Sequence, residues 1–229
     1  LAELEASGLR GRGGAGFSTA LKWRSIVGGG VEAGERFVVA NGAEGEPGTF
    51  KDRALVRHNP YLLLEGLLVA ARTVGARRVF VALKSSFEVE AGLVVRAATE
   101  MAAAGWADDV QIELVRGPDE YLFGEEKALL EVIEGEDPLP RLFPPYLYGL
   151  FTTSPQVGWS AGRTLDGLGR EGSNPTLVNN VETLSTVPAI VANGGEWYRG
   201  FGTAESPGTM VCTVSGDTVR HGVGEFELG

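Results

Sequence analysis

Short apolar runs of strand type alternate with longer helical stretches through the first half of the chain, and this alternation limits the possible folds more than any other feature. Arg36–Ala40 (RFVVA), Arg78–Leu83 (RVFVAL) and Val110–Val115 (VQIELV) are rich in Val, Ile and Phe, as strands buried on both faces of a parallel sheet must be. Tyr61–Val74 and Phe87–Gly105 are each long enough for a crossover helix, and each ends near glycine. The β-α-β-α-β order predicts an α/β fold: an open, mainly parallel sheet with flanking helices, and ligand sites at the carboxyl ends of the strands.

Ahead of the first strand lies GLRGRGGAGFSTALKW, Gly8 to Trp23. Gly11, Gly13, Gly14 and Gly16 remove side chains that would hold backbone N–H groups away from a ligand, so the loop can wrap a pyrophosphate or a nucleotide ring. Arg10, Arg12 and Lys22 bracket it with positive charge. Gly11, Gly13 and Gly16 also match G-x-G-x-x-G, but that fingerprint carries its mechanism only between a buried strand and a helix. Here the preceding LAELEASGLR has an acidic-apolar helical pattern with Gly8 as its C-cap. A flexible loop is the plain alternative to a nucleotide cradle.

A chain of 229 residues can bury one sizeable core with a small appendage. The net charge of −10 argues against a nucleic-acid surface, since phosphate neutralisation needs clustered Lys and Arg. The single cysteine, Cys212, excludes an internal disulfide and any site built from several thiolates of this chain. Its strand-like setting, TMVCTVS, predicts a buried structural thiol. The apolar stretch Tyr61–Ala71 is interrupted by Glu65 and falls short of the ~20 residues of a spanning helix. There is no signal-peptide pattern, and the first residue is not Met, so the expectation is a cytoplasmic fragment or processed product.

Two loops fall at predicted strand ends. NGAEGEPGTFKDR (Asn41–Arg53) follows the first strand, and RGPDEYLFGEE (Arg116–Glu126) the third. Phe123-Gly124 lead into a helix over Glu125–Gly135 with an acidic first turn. Pro138–Pro175, rich in Pro, Gly and aromatics, reads as an extended surface segment that could serve as a functional lid. Thr176–Asn193 carries VNNVETL and then a helical pattern, and Glu196–Phe201 adds a turn. The last stretch alternates as two strands around Ser215-Gly216-Asp217.

GLRGRGGAGF with LKW, EGEPGTFKDR, GEEKALLEVIEG with PRLFPP, and VNNVETL together resemble the flavoprotein subunit of NADH:quinone oxidoreductase (respiratory complex I) and its relatives in NAD-linked hydrogenases and formate dehydrogenases. The resemblance implies a Rossmann-like FMN-binding domain of complex I type over 1–205, and over 206–229 the opening strands of a β-rich, ubiquitin-like domain of soluble-ligand-binding type. It implies hydride transfer from NADH to FMN, then single-electron transfer to iron–sulfur partner subunits. Any 4Fe–4S cluster would lie in a further domain or a partner, and no direct membrane insertion or metal ligand in this chain is implied. The cofactor performs the chemistry, so no catalytic side chain is expected.

By the same resemblance Gly11, Arg12, Gly13, Gly14 and Gly16 form the nucleotide loop. Phe17 stacks near the NADH base, and Lys22 reaches the flavin phosphate. Asn41 and Glu44 face the flavin, with Glu46 nearer the dinucleotide. Tyr121, Gly124, Glu125 and Glu126 line the flavin and nicotinamide sites, with Glu126 orienting the nicotinamide, and Asn179, Asn180 and Thr183 bind the phosphate end. Read alone, Glu125 and Glu126 are helix-start charges and Asn179-Asn180 a turn.

Ala43 stands where the family's acidic loop has Asp, which removes one implied flavin contact, and Ser18 and Ala20 replace a usual Pro and Gly. Between Pro145 and Asn179 (the 146–178 insertion) the chain is roughly twenty residues longer than the family pattern, a length a surface loop tolerates at small entropic cost. The NGAE spelling also resembles the flavin- or nucleotide-binding component of Rnf-type ferredoxin:NAD oxidoreductases, although GTFKDR and EEKALLEVIEG favour the complex I type. A catalytically degenerate nucleotide-binding or assembly module is the remaining alternative.

Overall fold

The computed structural model describes residues 1–28, 35–152 and 173–229. The surface segment expected over Pro138–Pro175 falls in part on residues 153–172, outside the described residues.

Strands β1 (Phe37–Gly42), β2 (Arg78–Lys84), β3 (Gln111–Gly117) and β4 (Thr176–Asn180) form a four-stranded parallel sheet in the order β3-β2-β1-β4. The three strands expected from sequence are present to within two residues at their ends. The fourth has no counterpart among them: only three residues of Thr176-Leu177-Val178-Asn179-Asn180 are apolar or β-branched, so its periodicity is too short to register. Its register fixes it nonetheless, with Val39 opposite Val178 and Asn41 opposite Asn180.

Alternation along each strand builds two cores. Val38, Ala40, Val79, Val81, Leu83 and Leu177 enter one buried cluster, and Phe37, Val39, Phe80, Ala82 and Val178 enter the other. The first is covered by α1 (Ala2–Ser7), α2 (Thr19–Val27), α3 (Lys51–His58), α4 (Pro60–Val74), α5 (Glu88–Ala103), α7 (Val181–Asn193) and α8 (Gly195–Arg199). The second is covered by α6 (Glu126–Ile133) with Phe123 and Leu150.

Local sequence sets these helices. In α4, Asn59 accepts the N–H of Leu62, Pro60 occupies the first turn, and Gly75 (φ 78°) closes the end. Its Leu63, Leu64, Leu67 and Leu68 are fully buried, each a gain of about 1.5–3 kcal/mol. Pro188 inside α7 has no N–H to give to the carbonyl of Leu184. That carbonyl faces α4 at Gly66, where any Cβ would overlap it.

A separate antiparallel hairpin, β5 (Thr209–Val214) and β6 (Gly222–Glu227), follows the main sheet. Cys212 in β5 is only half-buried, which corrects the expectation of a buried thiol: the two-stranded ribbon joins none of the buried apolar clusters among the described residues. No helix among the described residues is long and apolar enough to cross a membrane.

Candidate functional site

The chain runs outward from β1 to β2 and β3, then returns to place β4 on the other side of β1. The carboxyl ends of β1 and β4 therefore flank the point where the strand order reverses, and an open α/β sheet binds ligands in that crevice. Two pairs of residues sit there: Asn41-Gly42 and Asn179-Asn180.

Each asparagine fastens a loop. Asn41 donates to the carbonyl of Gly124 at 2.8 Å and accepts the N–H of Ala43 at 3.1 Å. Asn179 accepts the indole N–H of Trp23 at 2.8 Å in a fully buried contact, tying α2 to β4. Asn180 caps α7 by accepting the N–H of Glu182 at 3.0 Å, accepts from Lys51 at 3.0 Å, and donates to Asp52 at 2.8 Å.

The glycine loop reaches the crevice from a helix, as expected, because Gly8 ends α1 in the left-handed region at φ 69°. A neck closes it: Gly11 N–H donates to the Phe17 carbonyl at 2.8 Å, Thr19 N–H to Leu9 at 3.0 Å, and Ser18 caps α2. Between these, Arg12 N–H donates to Thr183 Oγ1 at 2.9 Å, laying the loop on the first turn of α7. Gly14 (φ 112°) and Gly16 (φ 61°) need glycine for their backbone, and a Cβ at either would meet nothing within 4 Å among the described residues. The outer face of the loop is open to a ligand, and Phe17 stands at its tip 58% exposed.

Under the loop lies a buried charge network. Arg12 Nη2 donates to the Tyr198 hydroxyl at 2.9 Å, while its Nε is buried without a hydrogen-bond partner, 4.0 Å from Glu182. Lys51 ion-pairs with Asp52 at 2.7 Å and with Glu182 at 3.0 Å. Burial is the largest influence on both Lys51 and Asp52. It pushes the Asp52 carboxyl above its usual range despite the Lys51 ammonium, whereas Lys51, facing both carboxylates, stays above its ordinary value against the pull of burial.

The acidic loop is braced internally. Glu44 accepts from Asp52 N–H and from Arg53 Nε, both at 2.9 Å, so its carboxylate is engaged in this state. Glu46 accepts the Tyr121 hydroxyl at 2.6 Å across the mouth of the crevice, which raises the phenol's pKa. Ala43 is buried in the second core cluster, so no polar side chain replaces the expected Asp.

The third loop follows β3. A 3-10 turn over Tyr121–Gly124 buries Phe123 on Gly117, whose Cβ position the ring fills. Glu125 then caps α6, accepting from Lys127 and Ala128 N–H at 2.9 and 3.0 Å. That matches the helix-start reading of this residue. Glu126, one residue on, reaches back to Lys22 at 2.6 Å.

The structure thus brings Gly11, Arg12, Gly13, Gly14, Gly16, Lys22, Asn41, Gly124, Glu126, Asn180 and Thr183 around one crevice. Phe17, Glu46 and Tyr121 stand at its rim, and Glu44, Glu125 and Asn179 sit behind it, where Glu44 uses both carboxylate oxygens, Glu125 its Oε2 and Asn179 its Oδ1 in bracing contacts. Sequence reasoning missed Trp23, Lys51, Asp52, Glu182 and Tyr198, although the first four lie inside the motif segments. The signal available was their charge or indole N–H beside residues already singled out.

The crevice fits a phosphate-bearing planar ligand. Its glycine face is open, Lys22 offers a partly exposed ammonium, and beneath the glycine loop a buried Arg12 N–H stands 4.0 Å from Glu182 without a hydrogen bond among the described residues.

The profile of the family described as the Nuo51 FMN-binding domain matches residues 4–189. The chain is similar to an NADH-quinone oxidoreductase component of Rhizobium meliloti (strain 1021), 35% identical over 99% of this chain and 51% of the relative. It is similar to the alpha chain of the NAD-reducing hydrogenase HoxS of Cupriavidus necator, 38% identical over 97% of this chain and 35% of the relative. A crystal structure of NAD+-reducing NiFe-hydrogenase in the H2-reduced state superposes with a TM-score of 0.82 at 39% identity, covering 98% of this chain and 36% of the other. The chain therefore spans about half or less of the length of these relatives.

Proposed function

The chain belongs to the family of the Nuo51 FMN-binding domain, and from that membership we propose that it is the flavin- and NADH-binding part of an NADH-oxidising enzyme. The observation that carries this reading is the convergence of four loops, distant in sequence, on the switch point between β1 and β4.

When bound, FMN supplies the hydride acceptor and passes the electron pair on singly. The chain's residues bind and orient. Backbone N–H groups of Gly13–Gly16 and the side chain of Lys22 take the phosphate end, while Arg12 and Asn180 anchor the loop beneath it. Asn41, Tyr121 and Gly124 line the ring, Phe17 offers a face to the NADH base, and Glu46 and Glu126 accept ribose or carboxamide donors. Asn179, Thr183, Glu44 and Glu125 act by holding the loops that carry those contacts.

Electrons would leave to iron–sulfur subunits, and the whole would work in the cytoplasm or at the periphery of a membrane complex. Residues 206–229 are the opening strands of a following β-rich domain, a reading supported by their separate sheet. Fluorescence titration tests the binding claim: one FMN per chain is expected, and failure to quench FMN at any concentration contradicts it.

A further inference from the structure

We propose that Glu182 is a positioning residue that makes docking of the β5–β6 hairpin and occupancy of the crevice one linked equilibrium, an inference that rests on reading the crevice as a flavin site. Glu182 lies in the first turn of α7, between Asn180 and Thr183, and is 4% exposed. Its Oε1 accepts the main-chain N–H of Val211 in β5 at 2.7 Å. Its Oε2 holds Lys51 at 3.0 Å, and Arg12 Nε stands 4.0 Å from Oε1. One carboxylate thus spans the glycine loop, the acidic segment and the hairpin.

Two further fastenings of the hairpin reach the same loops, and a third ties Glu227 of β6 to the Gly202 N–H. Phe50 N–H, immediately before Lys51, donates to Thr213 Oγ1 at 2.9 Å. Tyr198, which accepts from Arg12, also hydrogen-bonds the Thr209 backbone. The hairpin contributes no residue to a buried apolar cluster, and Met210, Val219, Val223 and Phe226 are exposed. A two-stranded ribbon is marginal by itself, so its docked position depends on these polar contacts.

The two states differ in what they offer an anion. With the hairpin docked, Val211 N–H takes Glu182 Oε1, and Arg12 Nε stands 4.0 Å from that oxygen with no hydrogen bond among the described residues. With the hairpin released, the freed carboxylate oxygen closes on Arg12 Nε, and the glycine loop that Arg12 anchors shifts with it. A phosphate therefore binds the docked state more tightly, which is the differential contact that coupling requires. By reciprocity, the ligand protects the hairpin by the same factor as docking strengthens the ligand.

The experiment measures FMN affinity by fluorescence quenching and the exchange rate of the Val211 amide by hydrogen exchange, in wild type, Thr213→Val, Glu182→Gln and the double variant. Thr213→Val sits on the hairpin, away from the crevice. It is expected to speed Val211 exchange several-fold without ligand and to weaken FMN three- to tenfold, while FMN slows Val211 exchange in wild type. Glu182→Gln removes the charge that closes on Arg12, so adding Thr213→Val to that background is expected to leave FMN affinity within about twofold. Faster Val211 exchange in Thr213→Val with wild-type FMN affinity overturns the coupling, as does a Val211 rate in wild type that FMN leaves unchanged. A wild-type chain that binds no FMN overturns the flavin reading itself and the coupling with it, and that outcome is distinct from the other two.

Discussion

Lys22→Ala separates the phosphate end of the ligand from its ring. Lys22 Nζ lies 2.6 Å from Glu126 Oε2, with the side chains 25% and 37% exposed. A charge-assisted contact to phosphate is worth about 1.5–3 kcal/mol. Drawing Lys22 away from Glu126 costs up to about 1 kcal/mol, because a partly exposed pair is weak. The net loss on truncation is then about 0.5–3 kcal/mol, or roughly two- to 160-fold in the FMN dissociation constant. Riboflavin, which lacks the phosphate, should bind both proteins equally. Glu126→Gln works in the opposite direction: it frees Lys22 and should tighten FMN by up to about fivefold, again without effect on riboflavin. Parallel fluorescence titrations with the two flavins are the assay. An equal loss for riboflavin in Lys22→Ala, or no loss for FMN, refutes the assignment of Lys22 to the phosphate.

Gly66→Ala should destabilise the chain by about 1–3 kcal/mol or more in urea unfolding: its Cβ overlaps the Leu184 carbonyl, and this outweighs the ~1 kcal/mol that alanine gains in a helix. Trp23→Phe leaves the buried Asn179 Oδ1 without its donor and should cost about 1–3 kcal/mol by the same measurement. Asp52 supplies a pH signature. Its folded pKa is raised above the ordinary 3.8, so the folded chain holds the proton more tightly than the unfolded one, and this group's contribution to stability falls as pH rises from that value through the folded one. Asp52→Asn should lose that falling component. Urea midpoints for the two proteins across the acid range should diverge in slope, and parallel curves contradict the assignment.

The elements most legible in the sequence were those whose pattern is local. RFVVA and RVFVAL announce buried strands by composition, Asn59-Pro60 and Gly75 bracket α4, and Gly8 distinguishes this glycine loop from one entered by a strand. The fourth strand was not legible, since two of its five residues are the asparagines that fasten the loops. Without it the switch point at β1 and β4 could not be located, and only the two loops at predicted strand ends could be grouped without the resemblance. The charge network was hidden for a related reason. Lys51 and Asp52 look like solvated loop charges until Glu182 and Asn180, far along the chain, arrive beside them. Glu125 and Glu126 show the limit of reading neighbours together, for one caps α6 and the other crosses to Lys22.

Anaerobic reduction of the FMN-loaded chain by NADH tests the central claim most directly. The flavin absorbance should bleach on adding NADH and recover on adding ferricyanide. Flavin that stays oxidised under excess NADH, in protein shown by titration to hold one FMN per chain, would contradict it.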